Sequence, residues 1–102
     1  MVASFAVLPI DRGESISAYV AEVVRLVADS GMQYRVTAMG TEVEGETKAV
    51  FDLIYRCHEE MKRFSNRVYT VIHLDDRKGA RDRLAGKVAS VESKLGGFGP
   101  AR

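Results

Sequence analysis

Apolar and polar positions alternate along this chain in two rhythms, one of period two and one of period about 3.6. Val2 to Leu8 is apolar apart from Ser4, which predicts a strand covered on both faces and stopped by Pro9. A polar turn, Asp11-Arg12-Gly13-Glu14, follows, and Ser15 or Ser17 offers a cap for a helix. That helix carries Val20, Val23, Val24 and Val27 as one apolar stripe, and Ser30-Gly31 supplies its stop. Met32, Tyr34 and Val36 then alternate with Gln33, Arg35 and Thr37, the mark of a second strand. Ala38-Met39-Gly40 turns the chain into a third strand, Thr41 to Glu44. A second helix is predicted from about Thr47 to Lys62, burying Val50, Leu53, Ile54, Cys57 and Met61. After Ser65-Asn66, Val68 to Leu74 forms a fourth strand that is apolar on both sides. The turn Asp75 to Gly79 leads to a last helix striped by Leu84, Val88, Val91 and Leu95, and a glycine-rich tail begins at Gly96.

The order β-α-β-β-α-β plus a C-terminal helix is the ferredoxin-like pattern, an α+β sandwich forming one domain over residues 1–95. In this reading the first and third strands lie side by side and parallel. The turn after Leu8 and the segment ending at Glu44-Gly45 then meet at one sheet edge, with Ser15 and Ser17 near Glu44. Helices cover only one face of such a sheet, so the apolar open face calls for another subunit, with the last helix sharing the contact.

Composition narrows the function classes. A formal net charge of +1 speaks against a general polyanion binder. The basic group Arg77, Lys78, Arg81, Arg83 and Lys87 is interrupted by Asp75, Asp76 and Asp82 and has no interleaved aromatics for base stacking. A single cysteine forms no internal disulfide, which fits a reducing compartment. Met1 leads straight into the strand-like run Val2 to Leu8 with no basic leader or cleavage site, and that run is too short to span a bilayer or serve as a signal core. A cytoplasmic protein with neither nucleic acid nor membrane as partner is expected.

Chemistry concentrates in Met39-Gly40-Thr41-Glu42-Val43-Glu44-Gly45-Glu46, with three acids within five residues. Two readings of Glu44 stand at this point. Its carboxylate either accepts charge-assisted hydrogen bonds from an amine-bearing ligand or decorates a helix N-terminus. Ser15 and Ser17 are caps first and ligand hydroxyls second. Tyr34 and Tyr69 offer faces for a flat ring or a cation, or simply pack the sheet. Cys57 falls on an apolar stripe, and His58 and His73 share no metal-ligand spacing with it or with each other. No Ser-His-Asp or Cys-His arrangement emerges, so no catalytic residue is named.

The chain resembles the small cytoplasmic thiamine-binding proteins, ferredoxin-like domains of about the same size. The resemblance runs from Val2 to about Val91. It is carried by Pro9, Ser15-Ile16-Ser17-Ala18-Tyr19-Val20, Ser30-Gly31 with Tyr34, and above all Met39 to Gly45. Arg67-Val68, Asp76-Arg77 and Lys87-Val88-Ala89-Ser90-Val91 continue it. It implies a non-enzymatic protein that binds thiamine or its hydroxymethylpyrimidine precursor, assembled as a dimer or tetramer through its sheets. Members more usually carry glycines where this chain has Asp11-Arg12 and Ser65-Asn66, which bears on loop shape and ligand choice.

On the residues themselves, Glu44 suits the pyrimidine edge or the thiazolium, Thr41 and Ser17 add hydroxyls, and Tyr34 stacks. No cofactor or metal is required beyond thiamine or hydroxymethylpyrimidine as ligand. One alternative is a ferredoxin-like oligomeric enzyme of the cofactor-free oxygenase or isomerase type, with His73 and Tyr69 as its weak candidates. Another is a regulatory module that senses an effector at the sheet edge.

Overall fold

A computed structural model describes residues 1–96. The elements follow as β1 (Val2–Pro9), α1 (Ser17–Asp29), β2 (Gln33–Thr37), β3 (Gly40–Glu44), α2 (Thr47–Met61), β4 (Val68–Asp75) and α3 (Arg83–Leu95). Every predicted element is present, with ends displaced by one or two residues. The tail expected from Gly96 lies, from residue 97 on, outside the described residues.

The four strands form one sheet in the order β2-β3-β1-β4, and each adjacent pair is antiparallel. This corrects the expected parallel pairing of β1 with β3. In a β-α-β-β unit the crossover helix returns β2 in the direction of β1, and the tight hairpin then reverses β3. β1 and β3 must therefore run in opposite directions, with Val2 opposite Glu44 and Phe5 opposite Thr41.

Helices α1 and α2 cover one face. Ala3, Phe5 and Val7 of β1 and Val43 of β3 meet Val23 and Val27 of α1 and Val50, Leu53, Ile54, Cys57 and Met61 of α2 in a single core. The predicted α2 stripe is therefore the buried one, residue for residue. Cys57 donates weakly to the Val23 carbonyl (3.9 Å), joining α2 to α1, and the rings of Tyr19 on α1 and Phe64 in the turn after α2 lie 5.8 Å apart. His58 Nδ1 and Thr70 Oγ1 share a 2.7 Å hydrogen bond between α2 and β4.

Along β1 the other face, carrying Val2, Ser4, Ala6 and Leu8, is only half-buried within the single chain. Its neighbours on β4 include Tyr69, opposite Leu8, and His73, opposite Ser4. Helix α3 buries none of its residues and leaves Val88, Val91 and Leu95 exposed. No helix among the described residues is long and apolar enough to cross a membrane.

Candidate functional site

The strand period decides where each residue of the acidic segment goes. Along β3, Thr41 and Val43 are buried toward the helices, while Glu42 and Glu44 project from the other face. Because β1 runs from the Glu44 level toward the Thr41 level, the turn after Leu8 lies at the Thr41 end. The expected meeting of Ser15 and Ser17 with Glu44 does not occur; they meet Thr41 instead.

The result is a cavity of about 570 Å³ between the start of α1, the end of β1 and the β2–β3 hairpin. That volume lies within the usual range for small-molecule sites. Phe5, Val7, Val20, Val23 and Val36 supply its apolar walls. Ser15, Ser17, Thr37 and Thr41 line it with hydroxyls, Met39 flanks it from the hairpin, and Glu14 adds a carboxylate. Thr41 is only 5% exposed and Met39 is 89% exposed, so the cavity runs from a closed floor to an open mouth.

Local sequence explains this geometry. Gly40 lets the hairpin approach β1, since a Cβ there would stand 2.7 Å from the Phe5 carbonyl oxygen. Helix α1 begins without a side-chain cap; Ile16 occupies that position, and Ile16 and Ser17 both line the cavity. The capping role expected for Ser15 or Ser17 is thus not the observed one, and the first-turn N–H groups lack a side-chain acceptor. The loop ahead of the helix is anchored. Asp11 accepts the Ser65 hydroxyl at 2.5 Å and the Asn66 N–H at 2.9 Å, and Arg12 donates to the Phe64 carbonyl. The Ser65 and Asn66 bonds hold the Asp11 carboxyl below its ordinary range.

Glu44 lies outside the cavity and has another task. Its two carboxylate oxygens accept the backbone N–H groups of Arg83 and Leu84, each at 2.9 Å, and so cap α3. Partial burial pushes its pKa up, but the Leu84 and Arg83 N–H bonds, with the nearby terminal amine and Arg83 guanidinium, outweigh this and hold it low. The helix-end reading of Glu44 is therefore the one the geometry favours, though the helix is α3 and not the adjacent α2. Tyr34 shares the Val43 face but lines a separate, more open hollow of about 410 Å³ with Met32, Leu84 and Ala85.

The remaining candidates separate in the same way. Cys57 is fully buried, and that burial pushes its thiol up to about 11 against the opposing charge of Arg56. His73 and Tyr69 share the open face of β4, but four residues of strand put them roughly 13 Å apart, too far to share a proton. Arg77, Lys78 and Arg81 surround a mixed-charge hollow with Glu44, Glu46, Asp76 and Asp82, and Lys87 pairs with Asp75. No group of three or more metal-binding side chains occurs among the described residues.

Of the four expected site residues, the structure brings Thr41 and Ser17 together and sets Glu44 and Tyr34 elsewhere. Sequence reasoning missed Glu14, Met39 and Val36 as cavity residues. The signal was present in the turn Asp11-Arg12-Gly13-Glu14, which places a carboxylate one residue before the Ser15-Ile16-Ser17 helix start.

A family profile described as thiamine-binding protein matches residues 3–92. A UPF0045 protein of Mycobacterium bovis is 38% identical over 96 residues, covering 93% of this chain and 94% of its own. The UPF0045 protein YqgV of Bacillus subtilis is 34% identical over 100 residues, with 92% and 96% covered. Among solved structures, the MJ1052 protein of Methanocaldococcus jannaschii superposes with a TM-score of 0.83 at 23% identity, covering 89% of this chain and 94% of that one. A Thermotoga maritima protein named as a candidate for thiamine biosynthesis or salvage superposes with a TM-score of 0.79 at 21% identity, with 88% and 96% covered. At these identities the two structures establish the fold.

Proposed function

The chain belongs to the thiamine-binding protein family, and on that premise we propose that it binds thiamine or hydroxymethylpyrimidine in the cavity under the α1 start, without transforming it. The observation that carries this reading is the lining itself: a cavity of about 570 Å³ with apolar walls and the hydroxyls of Ser15, Ser17, Thr37 and Thr41, beside a helix start that has no side-chain cap. An aminopyrimidine has both acceptor nitrogens and an amino donor along its edge. Thr41 at the floor and Ser17 at the helix start match that edge as donor-acceptor hydroxyls. Phe5, Val20 and Val36 supply apolar contact for the ring faces, the part first given to Tyr34.

A binding role in the cytoplasm, for buffering, delivery or sensing, is part of this proposal. Self-association is part of the same proposal. Tyr69 on the open face and Val88, Val91 and Leu95 on α3 leave apolar surface that a second copy would cover.

A thermal-shift titration tests the reading. At one hundred times its dissociation constant a ligand stabilises the fold by about 2.7 kcal/mol. Thiamine, hydroxymethylpyrimidine or both should raise the melting temperature in a concentration-dependent way. No shift with either compound at millimolar concentration removes the proposal.

A further inference from the structure

Glu14 is the only formally charged side chain among the described residues that line the cavity. It is exposed at the mouth, on the loop between β1 and α1. None of the ion pairs or side-chain hydrogen bonds among the described residues engages its carboxylate. Its charged neighbours are committed elsewhere, Asp11 to Ser65 and Asn66 and Arg12 to the Phe64 carbonyl. These contacts pin the start of the loop, and Gly13, at φ 80°, turns the chain into Glu14. The charge is therefore held at the mouth by an anchored loop.

Two fields compete there. The uncapped start of α1 presents about half a positive charge, and the full positive charge of Arg12 is offset by the adjacent Asp11 carboxylate, whereas the Glu14 carboxylate presents a full negative charge with no such offset. The carboxylate prevails, so the mouth attracts cations. The two compounds proposed as ligands differ in this respect, since thiamine carries a permanent thiazolium charge and hydroxymethylpyrimidine is neutral near pH 7.

We propose that Glu14 is a specificity-determining residue, the counter-charge by which this cavity prefers the thiazolium-bearing compound over the neutral pyrimidine alcohol. The proposal rests on the reading that the cavity is the ligand site. The pyrimidine then occupies the hydroxyl-lined floor near Thr41 and Ser17, and the thiazolium lies toward the mouth beside Glu14.

Calorimetric titration of the wild-type protein, Glu14→Gln and Glu14→Lys with each compound tests this, at low and at high salt. Glu14 is exposed and makes no internal bond, so both variants keep the fold. Glu14→Gln should weaken thiamine about fivefold, the upper end for an exposed charge pair, and leave hydroxymethylpyrimidine within about twofold. Glu14→Lys should weaken thiamine further, and the wild-type preference for thiamine should shrink at high salt. Equal losses for both compounds, or unchanged thiamine affinity in Glu14→Gln, overturn the proposal while leaving the cavity as the site. A wild-type protein that binds neither compound overturns the underlying reading and this inference with it.

Discussion

Glu44 Oε1 accepts the backbone N–H of Leu84 at 2.9 Å, across forty residues of sequence, and this contact ties the end of β3 to the start of α3. Its partner oxygen takes the N–H of Arg83. Helix α3 has no buried residue, so this capping pair is a main tether of the helix to the domain. Glu44→Gln keeps the shape but loses the charge. The expected cost is about 1 kcal/mol, with increased amide exchange at Arg83 and Leu84 and unchanged ligand affinity. Hydrogen exchange read residue by residue checks this.

The same contact sets a pH dependence. The folded-state pKa of Glu44 is depressed, so its contribution is fully present above the usual glutamate value of about 4.3 and is lost as the pH falls through the lower folded value. Protection of the α3 N-terminus should therefore weaken on acidification below about pH 4.3, and Glu44→Gln should flatten that profile. A profile that is the same in both proteins would detach α3 from Glu44.

Thr41 provides a cleaner test of binding than any acid. Thr41→Val preserves side-chain shape and removes the hydroxyl at the floor of the cavity. Ligand affinity should fall about tenfold, the worth of one hydrogen bond in a desolvated site, while stability to urea changes by no more than about 1.5 kcal/mol, the upper net contribution of a single hydrogen bond. Paired calorimetry and urea denaturation report both quantities.

Gly40→Ala should act through the backbone. The added Cβ would meet the Phe5 carbonyl oxygen at 2.7 Å, and neither strand has a flexible atom to yield there. A loss of about 1–3 kcal/mol is expected, visible as an earlier urea midpoint.

The thiol of Cys57 should be inert. With its pKa pushed up to about 11 and no exposed surface, it should resist alkylation at pH 8 in the folded protein and react only on unfolding.

Much of the fold was legible because the apolar stripes are unambiguous: Val50, Leu53, Ile54, Cys57 and Met61 read as a helical face and form one. The site was legible in part. The alternation Thr41-Glu42-Val43-Glu44 already implies that Thr41 and Glu44 face opposite sides of the sheet, since they are three positions apart. What misled was strand direction, which no residue type encodes and which follows from the crossover and hairpin taken together. Reversing β3 exchanges the partners of the acidic segment, so that Thr41, not Glu44, meets Ser17. The tertiary contacts of Glu44 with Arg83 and of Asp11 with Ser65 join segments far apart in sequence, and no local spacing signals them.

Mapping amide chemical shifts during a thiamine titration tests the central claim most directly. The account predicts that Glu14, Ser17, Met39 and Thr41 move together with one saturating curve, while Glu44, Arg83 and Leu84 stay in place. Saturable shifts centred on Glu44 and the α3 start, with the cavity residues unmoved, would contradict it.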